Sequence, residues 1–349
     1  MVKIHHIHQT ASLFLFPNAF TTKRPILSPR SLQFSFKSFQ SSSTRLMALV
    51  SIPEAIAAHS RDDSIFVDGS WHMPNTRNAR DEFRRGPRIV GARYFDIDTV
   101  CTANTKNLPH MKPSGHQFSV AMDILNITPG NTLYVYANNG CGFAHRAYWT
   151  LSSFHDPSKV KLVQGSLEEW KSNGGALDDA ELDEDDERMI RMPKDWQQRT
   201  PKYKCRQVDN TVDMDQMLDF VTERTGAVIV DARSHGRFVG KDPEPRPGLR
   251  GGHMPNALNV PFVSLLDDND MTKFKPLDQV KEKFIEAGIK PIEESSNDER
   301  KVVCSCGSGV TAAALAVGLV ECGLREKEDV YIYDGSWIEW GGDDNTPID

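Results

Sequence analysis

The sequence predicts an α/β protein made of two tandem copies of one unit, each a mainly parallel sheet flanked by helices. Three observations predict it. A short apolar strand ending in a carboxylate occurs twice, as Ile65-Phe-Val-Asp68 and Val228-Ile-Val-Asp231. Two further apolar strands, Leu133–Ala137 and Lys301–Ser305, each run into a six-residue loop and then a helix-like segment beginning at Ala144 or Ala312. The signposts recur in one order along the chain, and strands alternating with helical segments imply crossover units on a parallel sheet.

Taken from the start, residues 1–47 hold Lys3, Lys23, Arg24, Arg30, Lys37 and Arg45 and no acid; the first carboxylate is Glu54. This Ser-, Phe- and Leu-rich basic stretch reads as an organelle transit peptide, mitochondrial in preference to plastid. The rival is a secretory signal, but its apolar core, Ala11–Phe16, is short and is ended by Pro17. Met47 offers an internal start and with it a cytosolic form. Residues 48–175 form the first copy. In it Arg88-Ile-Val-Gly-Ala92 answers to His253-Met-Pro-Asn-Ala257, the loop Asn138–Phe143 to Cys306–Thr311, and Val163–Trp170 to Tyr333–Trp340. Residues 176–208 read as an acidic, solvated linker, because eight of the ten residues in Asp178–Glu187 are acidic. Residues 209–349 form the second copy.

Composition narrows the function. The chain has 349 residues and a net charge of −7; setting aside the +6 of residues 1–47 leaves −13 on the body (−7 − 6). An acidic body is a poor partner for nucleic acid, whose binding depends on neutralised phosphates. No apolar run approaches the roughly 20 residues of a membrane helix. Six cysteines, none in a CxxC pair, suit free thiols in a reducing compartment better than a disulfide framework or zinc.

The chemistry concentrates in Lys301–Val320. A buried strand feeds a tight loop that delivers Cys306 to the start of a helix, where unpaired amides and the positive helix end favour a thiolate, the nucleophilic form. Gly307 and Gly309 permit backbone conformations that turn amides toward one point. The plainer reading is a glycine-rich turn with a buried cysteine. The repeat weighs against it, because copy one has Asn138 where copy two has Cys306. A cysteine phosphatase would need an arginine six residues after the nucleophile, and that position is Ala312.

The loop CGSGVTA, the segment Asp231–Phe262 (DARSHGRFVGKDPEPRPGLRGGHMPNALNVPF) and YDGSWIEW (Tyr333–Trp340) resemble the tandem-domain rhodanese sulfurtransferases, and more closely the 3-mercaptopyruvate sulfurtransferases, over about residues 50–342. The resemblance implies a five-stranded parallel sheet in each domain, a catalytically silent first domain, and an active site between the two. It implies Cys306 as the nucleophile in a persulfide loop of Gly307, Ser308, Gly309, Val310 and Thr311. Arg237 and Arg246 match the substrate-binding arginines, with Arg237 the stronger contributor. Ser308, His110 and Asp98 match a relay that handles protons. The alternative for both arginines is an ion pair with Glu244 or Asp242. No metal or organic cofactor is implied. The donor would be 3-mercaptopyruvate or thiosulfate, and the acceptor cyanide, a small thiol or thioredoxin. Loops that prefer thiosulfate carry basic residues, whereas this one is neutral, which favours a keto acid. The rival readings are a thiosulfate:cyanide sulfurtransferase and a non-catalytic rhodanese-like binding or redox module. Copy one departs from the family at Cys141 and at Arg88, where a histidine is usual. Cys304 is a candidate resolving thiol or a packing residue; His253, Asp231, Trp337 and Trp340 read as structural.

Overall fold

The computed structural model describes residues 48–102, 106–183, 192–223, 226–296 and 300–349. Residues 1–47, read above as a transit peptide, and Glu184–Glu187 of the acidic run lie outside the described residues. In chain order the first copy comprises β1 (Leu49–Ser51), α1 (Ile52–His59), β2 (Ser64–Asp68), α2 (Ala79–Arg85), β3 (Arg88–Ile89), β4 (Arg93–Tyr94), α3 (Gly115–Ile124), β5 (Thr132–Tyr136), α4 (His145–Phe154), β6 (Val160–Gln164), α5 (Leu167–Ser172) and β7 (Leu177–Asp178). The second comprises β8 (Thr211–Val212), α6 (Met214–Glu223), β9 (Val228–Asp231), α7 (His235–Phe238), β10 (Leu258–Asn259), α8 (Leu277–Glu286), β11 (Val302–Ser305), α9 (Ala312–Glu321), β12 (Val330–Tyr333) and α10 (Ser336–Trp340).

The strand order in space is β1-β6-β5-β2-β4 in one sheet and β8-β12-β11-β9-β10 in the other, so the duplication read in the sequence is a duplication of topology. Every pairing in both sheets is parallel. Helices cover both faces of such a sheet, so its central strands are continuous apolar runs rather than alternating ones. All four residues of β11 are buried, as are the last four of β5. Local chemistry sets the helix starts: Asn78, Ser114 and Ser166 each accept the amide three residues on at the heads of α2, α3 and α5.

The loops that follow the two central strands lead into α4 and α9, and these helices pack on each other across the copies. That position explains α9, AAALAVGLVE, in which all but Val320 are buried: it lies between its own sheet and α4. One continuous core accordingly runs through both copies, from Val135 and Leu151 to Leu315 and Ile332.

The described part of residues 176–208 differs from the solvated linker expected. Leu177–Asp178 form β7 and pair antiparallel with β3. Arg88, 4% exposed, donates to the Ala180 carbonyl (2.8 Å) and to the Asp178 carboxylate (2.6 Å). Leu182 packs beside Phe83 and Tyr94. Tyr203 is buried, and its amide and that of Lys202 donate to Asp123. The acidic run holds to copy one because a buried cation, Arg88, stands where its first carboxylate falls. This is also the place of the departure from the usual histidine; in copy two His253 instead bonds the Phe238 carbonyl (3.0 Å) and stacks on the Phe238 ring. Among the described residues no helix is long and apolar enough to cross a membrane.

Candidate active site

Cys306 leaves the end of β11 at the carboxyl edge of the second sheet, where ligands of open α/β sheets bind. Its side chain is nearly covered, at 2% exposed, and it lies at a cavity of about 230 Å³. The Gly309 amide donates to the sulfur (3.1 Å). Gly309 has φ +80°, a left-handed conformation that glycine adopts without cost, and its amide reaches the sulfur in that geometry. Gly307 has no such angle. It lies close to Arg237 instead: a Cβ there would stand 3.1 Å from Arg237 Nη2, a tight contact with the end of that side chain. The Trp337 and Ile338 amides donate to the carbonyls of Cys306 and Gly307, so α10 holds the loop from behind. Val310 and Thr311 line the same cavity.

Ser308, His110 and Asp98 meet across the two copies. His110 Nε2 is 2.8 Å from Asp98 Oδ1, and its Nδ1 is 3.3 Å from Ser308 Oγ. Trp71 Nε1–H donates to the same Asp98 oxygen (3.0 Å), and its ring stands edge-on to His110. Burial works against the Asp98 carboxylate, but the His110 hydrogen bond and charge, with Trp71, outweigh it and hold the carboxyl below its ordinary value. His110 itself is buried and has φ +60°, an uncommon backbone region for a histidine that needs support from its surroundings.

That support is Arg146, on α4 and 1% exposed. Its guanidinium donates to the His110 carbonyl, to the Gly309 carbonyl (3.1 Å) and to Asp334 Oδ1 (2.7 Å), and it lies over the Trp149 ring. One side chain from copy one thus holds both the His110 turn and the Cys306 loop.

Arg237 and Arg246 both line the cavity, but they differ. Arg237 is spoken for along one edge: its Nε and Nη2 donate to Glu244 at 3.2 and 2.5 Å. Glu244 also accepts from Arg233 (2.8 Å), which pairs with Asp231 and lies over Trp337. For Arg246 no ion pair is found among the described residues. Burial pulls its guanidinium below the ordinary value, with the Cys306 sulfur acting in the opposite sense.

Cys304 is fully buried in β11, and burial pushes its thiol well up, which suits packing rather than exchange. Cys141 is equally covered, donates to the Trp71 carbonyl (3.3 Å), and is pushed up to about 11 by burial. Asn138, in the place that Cys306 takes in copy two, is tied through its side chain to Glu82 and Asn139. Asp231 caps the turn after β9 by accepting the Arg233 amide (2.8 Å), and Trp337 and Trp340 are core.

The sequence reading missed Trp71, Arg146 and Arg233. The repeat carried a signal for two of them. Trp71 follows Asp68 at the interval by which Ser234, a wall of the cavity, follows Asp231; Arg146 stands where α9 has Ala314, a charge in a helix otherwise without room for one.

Comparison with known proteins agrees with this architecture. Residues 213–343 match the model of the rhodanese-like domain. The probable 3-mercaptopyruvate sulfurtransferase of Schizosaccharomyces pombe is 32% identical over 281 residues, 80% of this chain and 86% of that one. Thiosulfate/3-mercaptopyruvate sulfurtransferase 1, mitochondrial, of Arabidopsis thaliana is 32% identical over 300 residues, 82% of this chain and 74% of its own. The crystal structure of SseA from Escherichia coli, described as a 3-mercaptopyruvate sulfotransferase of the "rhodanese" fold, superposes with a TM-score of 0.65 at 28% identity, covering 83% of this chain and 99% of that one. A duplicated parallel sheet with a cysteine loop at its carboxyl edge defines a rhodanese-fold sulfurtransferase, and the chain belongs to that family, in its 3-mercaptopyruvate sulfurtransferase branch.

Proposed function

We propose that the enzyme takes sulfur from 3-mercaptopyruvate onto Cys306 and passes it to a thiol or to cyanide. The observation that carries this reading is a nearly covered Cys306 sulfur, bonded by the Gly309 amide, in a cavity that also holds Arg246 and Arg237. The arginines bind the donor carboxylate. The Cys306 thiolate attacks the donor sulfur, an S–S bond forms, and the C–S bond breaks with its electron pair going to carbon. The product is the enolate of pyruvate, and a proton delivered through Ser308, with His110 and Asp98 behind it, completes pyruvate. Cys306 is left as a persulfide. A cyanide, a small thiol or reduced thioredoxin then takes the outer sulfur and restores the thiolate, which makes the kinetics ping-pong. Thiosulfate is the second donor to consider, since two Arabidopsis thaliana relatives are named for both. The acid-free composition of residues 1–47 supports delivery to the mitochondrion, with the mature protein beginning between about Ser41 and Val50.

The test is side-by-side turnover with 3-mercaptopyruvate or thiosulfate as donor and cyanide as acceptor, together with intact-mass analysis after donor alone. The expected result is faster turnover with 3-mercaptopyruvate and one added sulfur on Cys306. Cys306→Ser should abolish transfer in a folded protein, and Cys141→Ser should leave most of it. Faster thiosulfate turnover would overturn the donor assignment; an essential Cys141 with a dispensable Cys306 would overturn the mechanism.

A further inference from the structure

The wall of the cavity around Arg237 is built by an unusual arrangement of charge. Arg233, Arg237 and Arg246 all face the cavity. Behind them stand two carboxylates, Asp231 on Arg233, and Glu244 shared between Arg233 and Arg237. The side chain of Glu244 is 3% exposed, that of Arg233 0% and that of Arg237 22%. Three cations and two anions leave this wall with one net positive charge. Glu244 occupies the Nε and Nη2 edge of Arg237, which is the edge an arginine uses for side-on bidentate capture of an oxyanion. The same Nη2 that Glu244 holds is the atom nearest Gly307: a Cβ there would stand 3.1 Å from it and 4.0 Å from Nη1, so the guanidinium lies against the bare backbone of the loop.

We propose that Glu244 is the specificity-determining residue of the pocket: it fixes Arg237 over the bare backbone of Gly307 and cancels one of the wall's positive charges, so that the site takes a singly charged sulfur donor in preference to a doubly charged one. A keto acid with one carboxylate carries a single negative charge, and thiosulfate carries two. The relay of Asp98, His110 and Ser308 on the facing side is the same for both donors, so the difference between them rests on the arginine wall. The two features meet at one atom: a side chain at 307 would crowd Arg237 Nη2, which Glu244 holds in place. The inference rests on the reading of Arg237 as a donor-binding residue.

The experiment loads the full-length enzyme with each donor in the absence of acceptor and follows persulfide formation at Cys306. Glu244→Gln keeps the shape and removes the charge. It should raise the ratio of thiosulfate to 3-mercaptopyruvate loading efficiency by about tenfold, the size of one partly screened charge interaction. A merely structural role would lower both loadings together and leave the ratio unmoved, and that outcome overturns the proposal. Glu244→Asp keeps the charge on a shorter arm, so its ratio should stay within about threefold of the parent even where both rates fall. A tenfold shift in Glu244→Asp would also overturn the proposal, and this variant decides it if Glu244→Gln does not fold. Arg237→Ala measured alongside separates the two readings. If it leaves both loadings unchanged, the donor-binding assignment has failed; if it lowers them while the Glu244→Gln ratio stays put, the failure belongs to Glu244.

Discussion

What is left free on each guanidinium separates Arg237 from Arg246. The family resemblance ranks Arg237 first. The ion pairs argue for the other order, since Glu244 already occupies one edge of Arg237 while no ion pair among the described residues draws on Arg246. A hydrogen bond to a charged group contributes roughly 1.5–3 kcal/mol. With 3-mercaptopyruvate as donor, Arg246→Ala should therefore lower kcat/KM by roughly ten- to a hundredfold, and Arg237→Ala by less. Steady-state kinetics on the two variants check the order, and a larger loss at Arg237 would restore the ranking the motif suggests. Gly307 belongs at this scale too. Placing arginine and lysine at 307 and 308 to attract thiosulfate adds positive charge, and the Cβ at 307 would stand 3.1 Å from Arg237 Nη2, so that guanidinium has to give by a few tenths of an ångström.

At the scale of an element, α4 shows what it means to bury a polar helix. All ten of its residues are buried, although five are His, Arg, Thr or Ser. His145 at its first position lies edge-on to Phe274, and burial lowers its pKa from 6.5 to about 4. Because the folded value lies below the unfolded one, the stability this residue contributes is present above pH 6.5 and is lost as the pH falls toward 4. Asp68 runs the other way: burial raises it to about 6, so its contribution is present at low pH and is lost as the pH rises through that value. The His145 effect is therefore read as a difference between proteins. In urea unfolding, His145→Gln should gain up to about 3 kcal/mol relative to the parent between neutral pH and pH 4. An equal pH dependence in both proteins would show that folding leaves the His145 pKa unchanged.

Across the whole molecule, the first copy completes the cavity region of the second. Asp98, His110, Trp71 and Arg146 come from copy one, while Cys306, Ser308, Arg237 and Arg246 come from copy two. Arg146 ties the halves, since its three acceptors lie on the turn at His110, the Cys306 loop and the segment after β12. Arg146→Lys keeps a charge for Asp334 but loses the planar fork that reaches three acceptors. A buried carbonyl left without its donor costs roughly 1–3 kcal/mol. The expected outcome is a lower Tm together with a kcat reduced at least about tenfold, and a smaller change in the donor KM. Thermal unfolding and steady-state kinetics check this; a lower Tm with unchanged kcat would reduce Arg146 to a structural clamp.

The duplication, the strands, the loop that presents Cys306 and the contrast with Asn138 were legible in the sequence by itself, because each is a local pattern: a run of apolar residues, a glycine-bearing turn, a motif that recurs in order. The residues Ser308, His110 and Asp98 were legible only through resemblance, since Ser308 and His110 stand 198 positions apart and nothing in either segment points to the other. The tertiary structure decided the rest. It set Arg146 163 positions from the Gly309 carbonyl it serves, made Arg88 the anchor of an acidic run that reads as a free linker, and divided Arg237 between Glu244 and the cavity. These outcomes depend on which buried charge finds which partner, and a buried charge is settled by the groups that folding brings within a few ångströms of it, not by its neighbours along the chain.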